Sequence, residues 1–390
     1  MSEAELIVEE ARLKELEDAW DTLAVANASP ISGPAWMLGW WRHVAPSGSQ
    51  LRVAAVHDRG ELIGIVPLCV EPNDPHGYRL LAHNFSSSVT PLARADRTWE
   101  VAAAAAEVLG RAQPRLAALA LAPLLASSPW ATALSDVWPG RMTPLVLRHS
   151  VANAPTISLE HASLEEWLSS RSSGFRADSR RRRRQFELAG GTARMSTPET
   201  VTADIQMFKQ LHAARWQRLG ASRLVALGEG LPLLLGELAQ ALLPTERFRL
   251  LLLELEGEPV GAYLTIAGGG ELVGINTGWD ERFKRFSPVR LAMLYTLEDA
   301  FARGEHHYSL GRDASYRLGR GTGSYKLDFA DGNDPVAESV LLPIDARLPR
   351  TLMSTDAVGR QIRRSIRRSL SDDEVDKLRG ALKRLRLSSG

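Results

Sequence analysis

The chain has almost no cysteine. Cys69 is the only one in 390 residues, which excludes an internal disulfide and any metal cluster built on thiolates. It lies in the apolar run Ile63–Val70, where a buried strand thiol is the expected role and a nucleophile is not. Long hydrophobic runs are also missing. The longest, Leu116–Ala126, falls short of the roughly 20 residues of a membrane helix and is broken by Pro123. Met1–Glu10 is acidic and lacks the basic start and apolar stretch of an export signal. A cytoplasmic protein is therefore expected, with peripheral attachment at the inner membrane face as the alternative. No sustained heptad repeat is present, so no long coiled-coil arm is expected.

Apolar residues are plentiful: 44% of the chain is hydrophobic and 24% charged, the balance of a globular protein with sizeable cores. A length of 390 residues predicts two domains and a small appendage. Charge is unevenly spread. Residues 1–150 carry a net charge of about −4, residues 151–345 about −2, and residues 346–390 about +7. Inside the acidic middle segment stands a run of five arginines, Arg180 to Arg184.

Periodicity places the elements. Apolar positions Leu6, Leu13, Leu16, Trp20 and Leu23 predict a helix over 4–26, and a Trp-rich helix follows over 35–44. Strands are expected over 51–57 and 61–70, joined by the turn Asp58-Arg59-Gly60. An Ala-rich helix covers 99–109, and strand-like pieces lie near 116–121 and 143–147. The second segment opens with two helices, the second carrying the arginine run and ending at Gly190-Gly191. A helix over 201–219 precedes three strands, 248–255, 259–267 and 271–277. Ser287-Pro288 then opens a helix over 289–303, with serine as the cap and proline at the first position. Strands are expected at 306–310, 324–329 and 337–342, with a loop at 319–323. A meander feeding a capped helix and then a parallel strand leaves that helix N-terminus pointing into a sheet crevice, a setting that suits phosphate. The hairpin around Asp58-Arg59-Gly60 echoes the one around Glu256-Gly257-Glu258, which suggests a duplicated fold.

Several blocks then occur in order: Glu256-Gly257-Glu258-Pro259-Val260-Gly261-Ala262-Tyr263-Leu264, Gly278-Trp279-Asp280, Phe286-Ser287-Pro288, Gly304, Tyr308-Ser309-Leu310-Gly311-Arg312 and Gly321-Thr322-Gly323-Ser324-Tyr325-Lys326. Their succession resembles the FemAB-like, BioF2/CelD-type acetyltransferase branch of the GNAT superfamily. The resemblance implies an α/β (α+β) chain of two GNAT-like domains, each a mixed, mainly antiparallel twisted sheet flanked by helices, plus a C-terminal helical tail. The expected division is 1–155 for a degenerate first domain, 156–345 for the acyltransferase domain and 346–390 for the basic tail. The implied activity is transfer of an acyl group from acyl-CoA, acetyl-CoA in the first instance, to an amine of a small molecule or a cell-envelope or polysaccharide precursor. No metal is implied. In the FemAB branch proper the donor is aminoacyl-tRNA, which stands as the alternative, and a non-catalytic polymer- or membrane-binding descendant is a third. Two departures are visible: the usual GNAT pyrophosphate loop is absent, and Val289 stands where glycine often follows Ser-Pro.

The resemblance also supplies roles. Ser287 is expected to cap its helix and face a donor pyrophosphate, with Arg290 adding charge one turn in. Lys326 would neutralise a donor phosphate or the oxyanion, or else is an ordinary strand-edge lysine. Tyr325 would protonate the leaving thiolate, although neighbours on a strand face opposite ways. A base is needed to deprotonate the amine, and Asp280, Asp313, His306 and His307 are the candidates; His307 and Asp313 are expected to flank the strand end nearest the crevice. Asn276, Thr277 and Arg312 offer polar contacts to donor or acceptor. Arg180 and Arg184 bound the arginine run, which would hold an anionic acceptor or tRNA, or be a solvated surface. In the tail, Ile362, Ile366 and Leu370 line up beside Arg363, Arg364, Arg367 and Arg368, a pattern for an anionic membrane surface, the protein's own body or a second subunit, the chain being a monomer or homodimer.

Overall fold

A computed structural model describes residues 2–140, 143–216, 222–312 and 325–343; the tail from 344 onward lies outside them. The first half runs β1 (Glu3–Ile7), α1 (Glu10–Lys14), α2 (Glu17–Ala26), α3 (Pro34–His43), β2 (Gln50–Leu51), β3 (Val53–Asp58), β4 (Glu61–Val66) and β5 (Leu68–Glu71). It continues through β6 (Asp74–Leu80), β7 (Leu92–Ala93), α4 (Thr98–Arg111), β8 (Ala118–Leu125) and α5 (Trp130–Asp136). A long strand, β9 (Leu145–Ser158), leads to α6 (Leu164–Ser170), α7 (Ser173–Leu188), β10 (Gly191–Met195), α8 (Val201–Trp216), α9 (Arg223–Ala226) and α10 (Gly230–Leu242). Then come β11 (Phe248–Leu255), β12 (Glu258–Gly268), β13 (Glu271–Trp279), α11 (Pro288–Ala302), β14 (His307–Ser309), α12 (Tyr325–Phe329) and β15 (Gly332–Leu342).

The strands form a small sheet, β1-β3-β4-β7, and one of eleven strands, β10-β11-β12-β13-β14-β9-β15-β8-β6-β5-β2. The larger sheet runs through both halves. The expected boundary at 155 falls inside β9, and β15 pairs with β9 on one side and with β8 of the first half on the other. The duplication is explicit in the topology. In each half a strand is connected through a helix to a second strand parallel to it: β6, α4, β8, with the short β7 before the helix, and β13, α11, β14. Both hairpins use two-residue turns with left-handed backbone at both positions, Arg59 and Gly60 at φ 52° and 83°, Glu256 and Gly257 at 51° and 82°. Such turns match the twist of the flanking strands.

Two large cores cover the faces of the sheets, with two small clusters beside them. One draws on α3, α4, α8 and α10; the other lies under α6, α7 and α11 and contains Trp167, Phe186, Leu291, Leu294 and Tyr308. Charged contacts join the halves where α10 meets α3. Glu237 accepts from both Arg42 and His43, and Arg247 pairs with Asp21 at 2.6 Å. Cys69 is buried in β5, where burial pushes its thiol up to about 12, so it is a packing residue. Among the described residues no helix is long and apolar enough to cross a membrane.

Two local expectations are corrected. Residues 3–7 form an edge strand paired with β3, and the helical stretch is split into α1 and α2. The apolar spacing across 4–26 continues smoothly because both elements face the same core, which hides the change of period. Residues 325–329 form a helical turn in place of a strand. Tyr325 and Lys326 are therefore about a third of a turn apart, not on opposite faces of a sheet.

Candidate active site

Strands β13 and β14 pair in parallel only at 271–273 with 307–309. Beyond that point β13 continues to Trp279, while β14 ends and the chain turns at Gly311 with φ 73°. A register shift in β13 opposite Leu264 and Thr265 leaves Ile275 as an extra residue, and such bulges bend the strand that carries them. Among the described residues, two parallel strands that part in this way leave a V-shaped crevice at the edge of β13.

The apex of the V is built from glycine. A Cβ on Gly274 would lie 2.4 Å from Tyr263 Oη, and one on Gly311 would lie 2.8 Å from the Gly274 carbonyl oxygen. Only bare backbone fits there. The same position on Gly311 is 3.8 Å from both Lys326 Nζ and Ser87 Cβ, so a lysine from α12 and a serine from the first half meet at the apex. Lys326 donates from Nζ to the carbonyl oxygens of Gly311 and Arg312 at 3.2 and 3.0 Å. The adjacent Arg312 donates to the Ser86 carbonyl at 2.8 Å. The loop carrying Ser86 is itself fixed by tryptophans of α3: Trp36 donates to Ser86 Oγ at 2.7 Å and Trp40 to Asn84 Oδ1 at 2.9 Å.

The N-terminus of α11 lies beside β12, where Pro288 packs closely on Gly261. Ser287 occupies the cap position but does not cap. Its backbone is left-handed (φ 54°, ψ 64°), and its hydroxyl accepts from Arg182 of α7. A left-handed residue at this position turns the hydroxyl away from the first-turn amides, and the arginine takes it up instead. Arg290 packs against the rings of Phe175 and Phe329, about 5.5 Å from each centroid, and pairs with Asp328. Lys284 and Arg285 lie just upstream in the chain, Arg285 packing over the Phe286 ring.

The arginine run divides by partner. Arg180 pairs with Glu165, Arg181 and Arg182 with Asp178, and Arg183 with Glu187 and Glu298 while stacking on Tyr295. Arg184 is exposed. Most of the run is thus engaged within the protein, and its inward member, Arg182, is the one that reaches the crevice.

The base candidates separate clearly. His307 is not at the crevice end of its strand. It opens β14 at the closed end, roughly 13 Å of strand away from Gly311, and its Nδ1 lies 2.6 Å from Glu271. That carboxylate raises the His307 pKa, while burial raises that of Glu271. Asp280 accepts from the Arg282 backbone amide and pairs with its guanidinium; Arg282 holds the carboxyl below its ordinary value, which makes it a weak base. His306 lies against Gly270, also at the closed end. Asp313 falls outside the described residues.

On the far strand edge Asn276 accepts from the Thr277 amide at 2.9 Å. Thr277 is held from α8 twice: Arg215 donates to its hydroxyl at 2.6 Å, and His212 Nδ1 donates to its carbonyl at 2.9 Å. A carbonyl only accepts, so the His212 proton sits on Nδ1 and Nε2 accepts from Ser222 Oγ at 2.8 Å. Burial lowers the His212 pKa, in keeping with a neutral ring that anchors the splayed end of β13. Sequence reading missed His212, Arg215, Arg182's contact with Ser287, and Tyr263 at the apex. The available signal was the row of glycines, Gly274, Gly278 and Gly311, which marks close approach.

Residues 173–327 match the model of the GNAT acetyltransferase domain. That segment is a GNAT domain. The match bears out the resemblance drawn from the ordered sequence blocks. Among solved structures, a FemX crystal structure aligns with 91% of this chain and all of its own at 12% identity and a TM-score of 0.62. The structure of L-PGS from Bacillus licheniformis aligns with 91% of this chain and 98% of its own at 13% identity and 0.55. The C-terminal domain of a putative lysylphosphatidylglycerol synthetase from Agrobacterium fabrum gives 87% and 95%, at 12% and 0.53. At these identities the likeness is one of fold. No curated protein sequence matches the chain.

Proposed function

We propose that this GNAT domain transfers an acyl group from acyl-CoA to an amine, with the donor lying in the crevice between β13 and β14. The observation that carries the reading is the parting of two parallel strands beside the start of α11, where Arg182 meets Ser287. A pantetheine arm has the shape to lie between such strands, pairing with the edge of β13 that has no strand partner among the described residues, while the donor phosphates meet the first turn of α11 and Arg182. Lys326 at the apex then faces the negative charge that develops on the acyl oxygen during attack. The acceptor approaches from the side of the Ser86–Ser87 loop, so both halves contribute to its recognition. No carboxylate among the described residues is poised as base at the apex, so proton removal by water or by Asp313 fits this reading. The amine belongs to a small molecule or a cell-envelope precursor.

A second reading is transfer of an aminoacyl group, favoured by the extent of the fold likeness to FemX, to L-PGS and to the Agrobacterium fabrum synthetase domain. Thermal shift separates the two. Acetyl-CoA at millimolar concentration is expected to raise the melting temperature, and Lys326→Ala to abolish turnover with the fold retained. No shift with any acyl-CoA, together with salt-sensitive binding of charged tRNA, would transfer support to the aminoacyl reading.

A further inference from the structure

Lys326 reaches the apex from α12, a helix of only 5 residues. Isolated helices this short are not stable in water, so contacts from elsewhere must set where the lysine stands. Three other helices make them. Phe329 of α12 is fully buried, its ring centroid 6.1 Å from Trp167 of α6 and 5.0 Å from Phe175 of α7. Arg171, at the end of α6, donates to the carbonyl oxygens of Asp328 and Ala330 at 2.9 and 3.1 Å, the kind of acceptor that a helix C-terminus leaves without a partner. The Ala330 amide in turn donates to the Lys326 carbonyl at 2.9 Å. From the opposite side comes Arg290 of α11. Its guanidinium lies 5.5 Å from the Phe175 centroid and 5.4 Å from that of Phe329, and it pairs with the Asp328 carboxylate. Arg171 lies over the same Phe175 ring at 5.6 Å. Two arginines thus meet one phenylalanine and grip one aspartate, the first by its backbone and the second by its side chain.

We infer that Arg290 and Asp328 are a positioning pair for Lys326, fixing α12 so that Nζ stays at the Gly311 and Arg312 carbonyls. This rests on the acyltransferase reading, in which Lys326 faces the charge on the acyl oxygen. Arg290 stands in the first turn of α11, where an arginine is expected to meet donor phosphate. Its charge is instead met by Asp328, and its guanidinium lies over two phenylalanine rings, the setting of a strut between α11 and α12. The pair spans only two residues from Asp328 to Lys326, so a change at either partner is felt at the lysine. Arg290 is 21% exposed and Asp328 51%, which sets the scale of the effect at that of a half-exposed ion pair.

The test compares the full chain with Arg290→Met, Asp328→Asn, the double variant and Arg290→Lys. Two quantities are read: the rate at which an amine-directed reagent labels Lys326, by mass spectrometry, and the affinity for CoA, by calorimetry. A lysine held against two carbonyl oxygens reacts slowly. Each of Arg290→Met and Asp328→Asn is expected to label at Lys326 roughly fivefold faster than wild type. The double variant should be no faster than either single one, because both break the same link, and Arg290→Lys, which keeps the charge, should stay near the wild-type rate. CoA affinity is expected to be the same in all of them. Unchanged labelling in the two single variants would overturn the inference and leave the acyltransferase reading intact. A loss of CoA affinity in Arg290→Met that Asp328→Asn does not share would also overturn it, because Arg290 would then be a phosphate ligand. Undiminished consumption of acetyl-CoA by Lys326→Ala would remove the role of Lys326 itself, and with it the reading on which the pair depends.

Discussion

Replacing Gly274 with alanine tests the apex directly. The added methyl would stand 2.4 Å from Tyr263 Oη and 3.3 Å from Cζ, with the Leu310 backbone at 3.4 Å. The first distance is well inside van der Waals contact, and both partners are buried in a closely packed core. The backbone of Gly274 is not in the left-handed region, so strain comes from space alone. Overpacking of this kind costs about 1–3 kcal/mol. Tyr263→Phe removes the hydroxyl and with it the worst contact, leaving only the tight 3.3 Å approach. The double variant should therefore be destabilised by at least about 1 kcal/mol less than the sum of the single ones. Urea denaturation of wild type, both single variants and the double variant, followed by far-UV circular dichroism, gives the four midpoints. Additive losses, or a Gly274→Ala protein as stable as wild type, would refute the packing of Tyr263 against β13 at the apex.

Further outcomes are expected elsewhere. Asp204 is fully buried and held by both terminal guanidinium nitrogens of Arg194 at 2.8 Å, while Arg194 is part-exposed and also pairs with Glu254; Asp204→Ala should cost about 1–3 kcal/mol in chemical denaturation. Burial opposes ionisation of Asp204, but its bonds to Arg194 and Thr200 leave its pKa below the ordinary value, so its contribution is present above that value and lost as pH falls through the depressed one. His307 behaves in the opposite sense. Its pKa is raised by Glu271, so its stabilisation is complete below about 6.5 and fades as pH rises through the raised value. An NMR titration of His307 should move toward the ordinary imidazole pKa in Glu271→Gln, and an unchanged titration would count against the pairing. Arg182→Met should raise the KM for acyl-CoA by roughly tenfold with kcat nearly unchanged, because the contact lies at the phosphate end and not at the reacting carbonyl; equal loss in kcat would place Arg182 elsewhere in the mechanism.

The elements legible in the sequence are those fixed by near neighbours. Glu256-Gly257 and Arg59-Gly60 specify two-residue turns through their left-handed backbone, and the alternation on either side sets the strands. Ser287-Pro288 marks the start of α11 because proline fits only at a helix entry, and Gly304 ends it. Order and spacing of those signals were enough to place a meander, a helix and a parallel strand, and so the crevice. What sits in the crevice was decided at long range. Ser287 reads as a cap, but its hydroxyl belongs to Arg182, 105 residues earlier in the chain. His307 reads as a candidate base, but register with Glu271 puts it at the wrong end of its strand. Five residues, Tyr325–Phe329, are too few for periodicity to tell helix from strand, and packing of Phe329 on Trp167 and Phe175 settled the matter. Local sequence thus determined the scaffold, since turn and cap energetics act within a few residues. Partners for polar groups were chosen by tertiary packing, since burial removes water and leaves each donor only the acceptors that the fold brings near.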